Sequence, residues 1–281
     1  MKLTKMLRSR LHELRDLRRA DARAAARRRD DSPLVTLSTT PARIHGLRPT
    51  LLSLLGQELA PREIHVNVGV DLFGESPVPE FLEGLRVVQV QRVARDLGPA
   101  TKLIPTLQRL RGTRERIVVV DDDMFYHPAL LRQLVDAEAG GSGRECFCAN
   151  GLLLPRSLRA QDCRGDRALK SGRRRVAVVQ GAGGYCLRAD LLDPEALLDL
   201  RGAPARAWFD DDVWFSGHLS RNAVAKWQIA TGRRKSLANT LESAISGDRL
   251  TLMTELLGFF AQDWDPAEFD DQPGAGGETR T

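Results

Sequence analysis

One run of the chain is both its most apolar strand candidate and the start of an acidic cluster: Ile117-Val118-Val119-Val120-Asp121-Asp122-Asp123. Four β-branched residues in succession predict a strand that is buried on both faces, as the strands of parallel sheets are. Ligands of such sheets bind beyond the carboxyl ends of the strands. The three carboxylates therefore follow the strand at the place where a ligand crevice is expected.

Short apolar runs on either side of this strand alternate with helical patterns. Further strands are predicted at residues 34–38, 64–68, 86–90, 145–149 and 176–180. Helices are predicted near residues 51–55, 101–110 and 194–200, and from residue 211 onward. Such alternation is typical of an α/β fold. We expect a single Rossmann-like domain with a mainly parallel central sheet flanked by helices, preceded by an N-terminal helix.

Residues 1–31 are predicted to form a basic amphipathic helix, because leucines recur there at three- and four-residue steps. They are Leu7, Leu11, Leu14 and Leu17. The segment holds 11 Lys or Arg and five acids, a net +6 against +5 for the whole chain, so the other residues carry −1. A main body this close to neutral is not expected to bind nucleic acid. The helix either docks on the main domain or rests on an anionic membrane surface.

Residues 32–265 are expected to form the main domain, and residues 266–281, with a Gly-rich end, a disordered tail. No stretch reaches the roughly 18 apolar residues that span a bilayer, and the N-terminus lacks the apolar run of a secretion signal. These features predict a cytoplasmic protein, or a peripheral one at the inner membrane face if residues 1–31 bind lipid. The oligomeric state is left open.

The chain has four cysteines: Cys146, Cys148, Cys163 and Cys186. They are too few for a disulfide framework in a chain of this length, and Cys146 and Cys148 are too close to pair easily with each other. A zinc site needs a second pair of Cys or His residues at ligand spacing, which the sequence lacks. We therefore expect reduced, structural thiols.

Alternation along an extended chain places Asp121 and Asp123 on the same side, with their Cα atoms about 7 Å apart, and turns Asp122 away. Carboxylates this close repel one another unless a cation or solvent lies between them. Their hard oxygens suit Mg²⁺ or Mn²⁺, and a diphosphate would complete the coordination shell. The alternative is a solvated acidic turn.

A second acidic cluster, Asp210-Asp211-Asp212, precedes an apolar stretch that predicts a helix. One of its carboxylates could serve as a general base and take the proton from an acceptor hydroxyl. The alternative is capping of the helix N-terminus, where acids are favoured. Three acids in succession exceed what capping needs.

Two further segments are candidates for binding an anionic ligand. Lys102 lies near a predicted helix start, where a cation is disfavoured unless an anion such as phosphate lies nearby; a solvent-facing Lys is the alternative. The run Gly181-Ala182-Gly183-Gly184 follows a predicted strand and permits close backbone approach to a ligand. A plain turn explains the glycines equally well.

Several motifs occur in a fixed order within residues 33–220. They are Leu37-Ser38-Thr39-Thr40-Pro41-Ala42-Arg43-Ile44, residues 98–105, Val120-Asp121-Asp122-Asp123 with Tyr126 and Pro128, Gly181-Ala182-Gly183-Gly184, and Asp211-Asp212-Val213-Trp214. In this order they resemble bacterial glycosyltransferases of the GT-A fold, of the family-2 type with a D-x-D metal motif. The joint order is far more specific than any one of the motifs.

This resemblance implies an enzyme that transfers a sugar from a nucleoside diphosphate sugar to a hydroxyl of a glycan, lipid-linked or other acceptor, with inversion. It assigns Mn²⁺ or Mg²⁺ to Asp121 and Asp123. Matching a Glu-Asp-x-x-Leu pattern to Asp211-Asp212-Val213-Trp214-Phe215 makes Asp212 the first choice of base and Asp211 the second. Here Asp replaces the Glu of that pattern, and Phe replaces its Leu. The expected nucleotide-sugar-binding residues are Thr39, Thr40, Arg43, Asp96, Lys102, Asp122, Gly183 and Gly184.

Two other classes of protein remain as alternatives. An Asp-dependent phosphatase or phosphotransferase also places D-x-D after a buried strand, but it usually has Thr or Val next and a Lys downstream. In this chain Met124-Phe125 follow, and Lys102 lies upstream. A non-catalytic nucleotide-sugar-binding or scaffolding module would use the basic N-terminus, but the intact acids of both clusters argue against it.

Overall fold

The computed structural model describes residues 17–74, 78–165, 169–232, 235–237 and 247–270. The helices are α1 (Leu17–Ala26), α2 (Arg48–Leu55), α3 (Val70–Phe73), α4 (Ile104–Arg109), α5 (Leu130–Ala139), α6 (Pro194–Leu198), α7 (Asp211–Arg221) and α8 (Gly247–Phe259). The strands are β1 (Leu34–Ser38), β2 (Glu63–Gly69), β3 (Val88–Val93), β4 (Arg116–Val119), β5 (Met124–Phe125), β6 (Glu145–Cys148), β7 (Gly151–Leu152), β8 (Arg173–Arg175), β9 (Val178–Val179), β10 (Tyr185–Arg188), β11 (Ala225–Ile229) and β12 (Lys235–Ser236).

Eight of these strands form the central sheet, in the order β3-β2-β1-β4-β10-β6-β11-β8. The strands from β3 to β4 are parallel to one another, and β6 is parallel to β11. The other two, β10 and β8, run antiparallel to their neighbours. The predicted α/β fold with a mostly parallel sheet is confirmed.

The strand β4 is buried on both faces, as its β-branched residues Ile117, Val118 and Val119 predict. Val118 packs into one hydrophobic core with α1, α2 and α5. Ile117 and Val119 pack into a second core with α4, α6, α7 and α8. Because helices cover both faces, the ligand crevice can open only at the ends of the strands.

The strand β10, at the centre of the sheet, was missed by the sequence analysis. It pairs antiparallel with β4, so that Tyr185 lies opposite Val119. An antiparallel strand begins at the edge of the sheet where its partner ends. The glycine run before β10 is thereby brought to the carboxyl end of β4. The strand β11 and the helices α5 and α8 were likewise not predicted, and the third strand, predicted at 86–90, spans Val88–Val93.

The described part of the N-terminal segment is a helix docked on the domain. Leu17 is buried in the core beside α2. The Asp21 carboxylate accepts hydrogen bonds from backbone N–H groups at the start of β3, those of residues 86–88. The Arg27 guanidinium donates to the carbonyls of Leu55 and Gln57 at 3.0 and 2.8 Å. The helix ends at Ala26 rather than at residue 31, and residues 1–16 lie outside the described residues.

Residues 266–270, predicted as the start of a disordered tail, are instead packed on the domain. A turn at Pro266–Glu268 is capped by the Asp265 carboxylate, and the backbone N–H of Asp270 donates to the Leu154 carbonyl. Glu268 is 1% exposed and lies 2.7 Å from the Lys226 ammonium. Composition alone missed this order because the partners, Leu154 and Lys226, lie far away in the chain. Residues 271–281 lie outside the described residues.

The buried Lys226–Glu268 pair gives a prediction for stability. Lys226→Met should lower the free energy of unfolding by about 3–5 kcal/mol, because Glu268 would be left buried without its ammonium partner. Urea denaturation monitored by circular dichroism measures the change. The double variant Lys226→Met with Glu268→Gln should recover much of the loss, since no charge then remains buried. A loss below about 1 kcal/mol in the single variant would contradict this account of the pair.

In the described part of the chain, none of the helices combines the length and the apolar character that a membrane crossing requires.

Candidate active site

A cavity of about 570 Å³ opens at the carboxyl ends of β1 and β4. Most of the residues singled out by the sequence line it: Thr39, Thr40, Arg43, Asp96, Lys102, Asp121, Asp122, Asp123, Asp211 and Asp212. The fold thus brings the two acidic clusters, which are far apart in the chain, to one place. Gly183 and Gly184 are not among the described residues that line this cavity.

The backbone of the first acidic cluster is fixed by hydrogen bonds. The strand register continues through Val120, whose N–H donates to the Thr36 carbonyl at 3.1 Å. The buried Tyr126 hydroxyl accepts a hydrogen bond from the Asp121 N–H at 2.9 Å and lies 3.4 Å from the Gly181 carbonyl. The Thr50 hydroxyl donates to the Asp122 carbonyl at 2.7 Å. These contacts hold the carboxylates toward the cavity.

Lys102 lies between the two acidic clusters. Its ammonium Nζ is 2.5 Å from Asp121 Oδ1 and 3.0 Å from Asp211 Oδ2. Burial alone would lower the pKa of Lys102, but the nearby carboxylates, that of Asp121 most of all, raise it well above its ordinary value. The side chain is therefore charged and buried against carboxylates, which rules out a solvent-facing Lys.

Arg43 pairs with the other two carboxylates of the first cluster. Its Nη2 contacts Asp122 Oδ1 and lies 3.0 Å from Asp123 Oδ2. Burial raises the pKa of Asp122 to about 6, an effect that the charge of Arg43 partly opposes. Asp122, which strand alternation turned away, therefore faces the same cavity as its neighbours. Alternation fails there because the chain leaves extended geometry and turns at residues 122–123.

The second acidic cluster divides into a cap and two cavity residues. Asp210 is the N-cap of α7, since its carboxylate accepts a hydrogen bond from the Val213 N–H. Asp211 and Asp212 lie in the first helical turn and line the cavity. Asp212 Oδ1 accepts a hydrogen bond from the Gly181 N–H at 2.9 Å. Burial, followed by the charge of Asp211, raises the pKa of Asp212 well above its ordinary value.

Asp96 uses its carboxylate to shape the loop that leads to Lys102. One oxygen accepts a hydrogen bond from the Thr101 hydroxyl at 3.0 Å, and the other accepts from the Gly98 N–H at 3.1 Å. Gly98 has φ of +61°, which favours glycine at this turn. Asp96 therefore lines the cavity and also orders the turn before the Lys102 segment.

The glycine that approaches the acidic site is Gly181, not Gly183 or Gly184. A Cβ at Gly181 would lie 2.7 Å from Asp121 Oδ1 and 2.9 Å from Lys102 Nζ. A Cβ at Gly183 would instead meet the backbone N of Asn150 at 2.9 Å, and Gly184 adopts φ of +84° in the turn into β10. The plain-turn interpretation therefore describes Gly183 and Gly184, which the structure does not bring to the cavity.

Sequence reasoning missed one wall of the cavity. It is formed by Arg206, Phe209, Asp248, Arg249 and Leu252. The Arg206 guanidinium lies over the Phe209 ring, 5.0 Å from its centroid, and the ring is half exposed. Neither α8 nor the turn before α7 carries a motif, so the only available signal was the aromatic Phe209 next to an acidic cluster.

Comparison with known proteins finds a match to this chain in structure but not in sequence. No family model matches the chain, and no curated protein matches it. Among solved structures, it is similar to GalNAc-T7, crystallised with UDP, GalNAc and Mn²⁺, at a TM-score of 0.52 and 11% identity. The chain has a GT-A-like fold. The match covers 73% of this chain and 43% of GalNAc-T7.

Asp121 and Asp123 suit a divalent cation in the chemistry of their donor atoms. Both side chains are 26% exposed and line the cavity. Among the described residues, no group of three or more His, Cys, Asp or Glu side chains could hold a metal ion. Two carboxylates are enough for Mg²⁺ or Mn²⁺ where water and phosphate oxygens supply the other ligands. In the structure, each carboxylate already contacts a protein cation, Lys102 or Arg43.

Proposed function

We propose that the protein is a metal-dependent glycosyltransferase, which moves a sugar from a nucleoside diphosphate sugar to a hydroxyl acceptor with inversion. The observation that carries the proposal is the meeting of two acidic clusters in one cavity at the carboxyl ends of the strands. Transfer needs both a site for the diphosphate and a base for the acceptor. The GT-A-like fold, shared with a protein crystallised with UDP and Mn²⁺, supports the same assignment.

The donor is assigned to the side of the cavity built by the β1 loop. Thr39, Thr40 and Arg43 lie there, and Arg43 is 42% exposed, so its guanidinium can turn to a phosphate. Asp96 contributes through the loop that it orders. Bound at Asp121 and Asp123, a divalent cation would offset the charge that develops on the leaving diphosphate.

Asp212 is the proposed base. The Gly181 N–H holds one of its oxygens, which leaves the other to accept a proton, whereas Asp211 is paired with Lys102. The acceptor oxygen forms its bond to the anomeric carbon as the bond from that carbon to the diphosphate oxygen breaks. The hydroxyl proton passes to Asp212, and the electron pair leaves with the diphosphate. Because the attack is a single displacement, the anomeric configuration inverts.

The acceptor is assigned to the wall that includes Phe209 and Leu252. The exposed Phe209 ring and Leu252 offer apolar surface, and Arg206 and Arg249 offer hydrogen-bond donors beside it. Such a mixed surface suits the alternating apolar and hydroxyl faces of a sugar ring. A glycan, a lipid-linked sugar or another hydroxyl compound would fit this description.

A screen of nucleoside diphosphate sugars with Mn²⁺ tests the proposal. At least one donor should raise the melting temperature in the presence of Mn²⁺ and should release its nucleotide when a pool of hydroxyl acceptors is added. Each donor is also measured with EDTA in place of Mn²⁺. If no nucleoside diphosphate sugar stabilises the protein or is turned over, the proposal is wrong.

One contact favours a second function, that of an Asp-dependent phosphatase or phosphotransferase. Such chemistry needs a Lys beside the nucleophilic Asp, and the fold brings Lys102 to 2.5 Å from Asp121 although Lys102 lies upstream. In that reaction an Asp121 oxygen would attack the phosphorus of a phosphate ester, the bond from phosphorus to the ester oxygen would break, the alcohol would leave, and Asp121 would carry an aspartyl phosphate. Trapping this adduct from a phosphate ester, detected by mass spectrometry, would favour the phosphatase. Transfer of sugar from a donor without such an adduct would exclude it.

Two glycine variants should separate the catalytic site from the turn beside it. Gly181→Ala should reduce turnover by about 10²-fold, because its methyl group would push Asp121 and Lys102 from their positions. Its stability should change little, since both displaced groups are side-chain ends. Gly183→Ala should instead lower the free energy of unfolding by about 1–3 kcal/mol, because its methyl group meets the Cβ and the backbone N of Asn150, which cannot move without the main chain. Steady-state kinetics measure the turnover of both variants, and urea denaturation measures their stability. Equal losses of turnover in Gly181→Ala and Gly183→Ala would contradict the prediction.

A further inference from the structure

We infer that Lys102 competes with a divalent cation for Asp121, and that it stays on Asp211 when the cation binds. This inference rests on the proposed function, because it concerns the same cavity. It gives Lys102 a role other than the contact with phosphate that the sequence predicts. Lys102 would set the metal affinity of the site and would keep Asp211 neutralised beside the proposed base.

The position of Lys102 carries the inference. Its side chain is 8% exposed, and its ammonium contacts one carboxylate from each cluster. Within the described residues, the only ion pairs of Asp121 and Asp211 are those with Lys102. The Gly181 backbone lies directly beside the pair, because an added Cβ would be 2.9 Å from Nζ. The ammonium is therefore almost wholly buried, and the protein carboxylates nearest to it are those of the two acidic clusters.

Arg43 and Lys102, the two cations that contact the first acidic cluster, differ in how far their side chains can move. Arg43 is 42% exposed and can leave Asp123 for solvent or phosphate. Lys102 is buried, so a divalent cation that takes Asp121 would lie close to its positive charge. Repulsion between the two is large at such distances unless one of them moves. Asp211, at 3.0 Å, is the partner toward which Lys102 can shift.

This shift has a consequence for the base. When a cation occupies Asp121, Lys102 is left with Asp211 as its nearest carboxylate. Asp211 then accepts the ammonium and is not free to take a proton, whereas Asp212 keeps its hydrogen bond to the Gly181 N–H. Competition at Asp121 therefore selects Asp212 over Asp211 as the base.

The first experiment measures Mn²⁺ affinity without any nucleotide, by electron paramagnetic resonance at constant pH. Lys102→Met should tighten Mn²⁺ binding by at least about tenfold, because the competing charge is removed. The matched control is Arg206→Met, which removes one positive charge from the same cavity but has no ion pair with Asp121 or Asp123. It should change the affinity by less than about threefold. Unchanged or weaker binding by Lys102→Met would overturn the inference.

A second experiment uses the unaltered protein and covers the case in which Lys102→Met does not fold. The chain has six lysines: Lys2, Lys5, Lys102, Lys170, Lys226 and Lys235. Among those whose burial the structure describes, only Lys102 and Lys226 are buried, and Lys226 lies outside the cavity. On titration with diamagnetic Mg²⁺, the side-chain ¹⁵N resonance of Lys102 should shift while that of Lys226 stays fixed.

The two proposals fail in different ways. If Mg²⁺ binds but the Lys102 resonance does not move, the competition is wrong and the glycosyltransferase proposal is untouched. If Lys102 moves and the Lys102→Met variant gains affinity, but no sugar donor binds, the competition holds and the transferase proposal is wrong. If neither the unaltered protein nor Lys102→Met binds a divalent cation, the inference is wrong. The donor screen in EDTA would still report any transfer of sugar.

Discussion

Asp212→Asn is expected to lower turnover by about 10²–10⁴-fold, the usual contribution of a general base. Asparagine keeps an oxygen that can accept the hydrogen bond from the Gly181 N–H, so the first turn of α7 should remain in place. It cannot take a proton from the acceptor hydroxyl. Donor affinity should change little, because the base acts on the acceptor. Turnover under saturating donor, together with calorimetric binding of the donor, measures both quantities.

Asp211→Asn and Asp210→Asn are the matched controls from the same cluster. Asp211→Asn should cause a smaller loss of turnover, acting through its partner Lys102. Asp210→Asn should keep the N-cap, because asparagine caps helices as well as aspartate does. A larger loss for Asp211→Asn than for Asp212→Asn would move the base to Asp211.

The pH profile gives a further readout of the base. Burial raises the pKa of Asp212 well above its ordinary value. A base acts in its deprotonated form, so turnover should increase with pH as this carboxyl loses its proton. The acidic limb should therefore lie above the range of an exposed carboxyl. In Asp212→Asn that limb should disappear from the residual activity, whereas in Asp210→Asn it should remain.

Asp123→Ala is expected to reduce metal-dependent transfer by on the order of 10³-fold, since a bound cation contributes several kcal/mol to a charged transition state. The variant removes one of the two proposed metal ligands. It also leaves Arg43 with Asp122 as its remaining acidic partner. The dependence of transfer, or of donor hydrolysis, on Mn²⁺ concentration is the measurement. Undiminished turnover would refute the site.

Asp122→Asn is the control for Asp123→Ala. Asp122 lies in the same acidic run and also contacts Arg43, but it is outside the D-x-D pair. Its loss should weaken the hold on Arg43 and leave the dependence on Mn²⁺ largely intact. If the two variants lost metal dependence equally, the pairing of Asp121 with Asp123 as ligands would be wrong.

Local signals account for the parts of the fold that the sequence predicted well. The strands β1 and β4 are short, mainly apolar runs because they are buried on both faces, whereas in β2 the apolar Ile64, Val66 and Val68 alternate with the buried polar His65 and Asn67. The start of α7 at Asp211 was also predicted, because acids precede an apolar stretch there. The strand β10 lacked such a signal, since Tyr185-Cys186-Leu187-Arg188 is short and follows glycines that indicate a turn.

The sequence by itself determined that three aspartates follow a buried strand and that a second acidic run begins a helix, because burial and capping act on neighbouring residues. Only the tertiary structure decided that Lys102 lies between Asp121 and Asp211. It also decided that Gly181 approaches this group while Gly183 and Gly184 do not. These contacts depend on β10 entering the sheet antiparallel to β4 and on α7 packing into the same hydrophobic core as Tyr185 and Leu187 of β10. Ion pairs between segments that are distant in the chain form through such packing, so the local pattern of residues does not predict them.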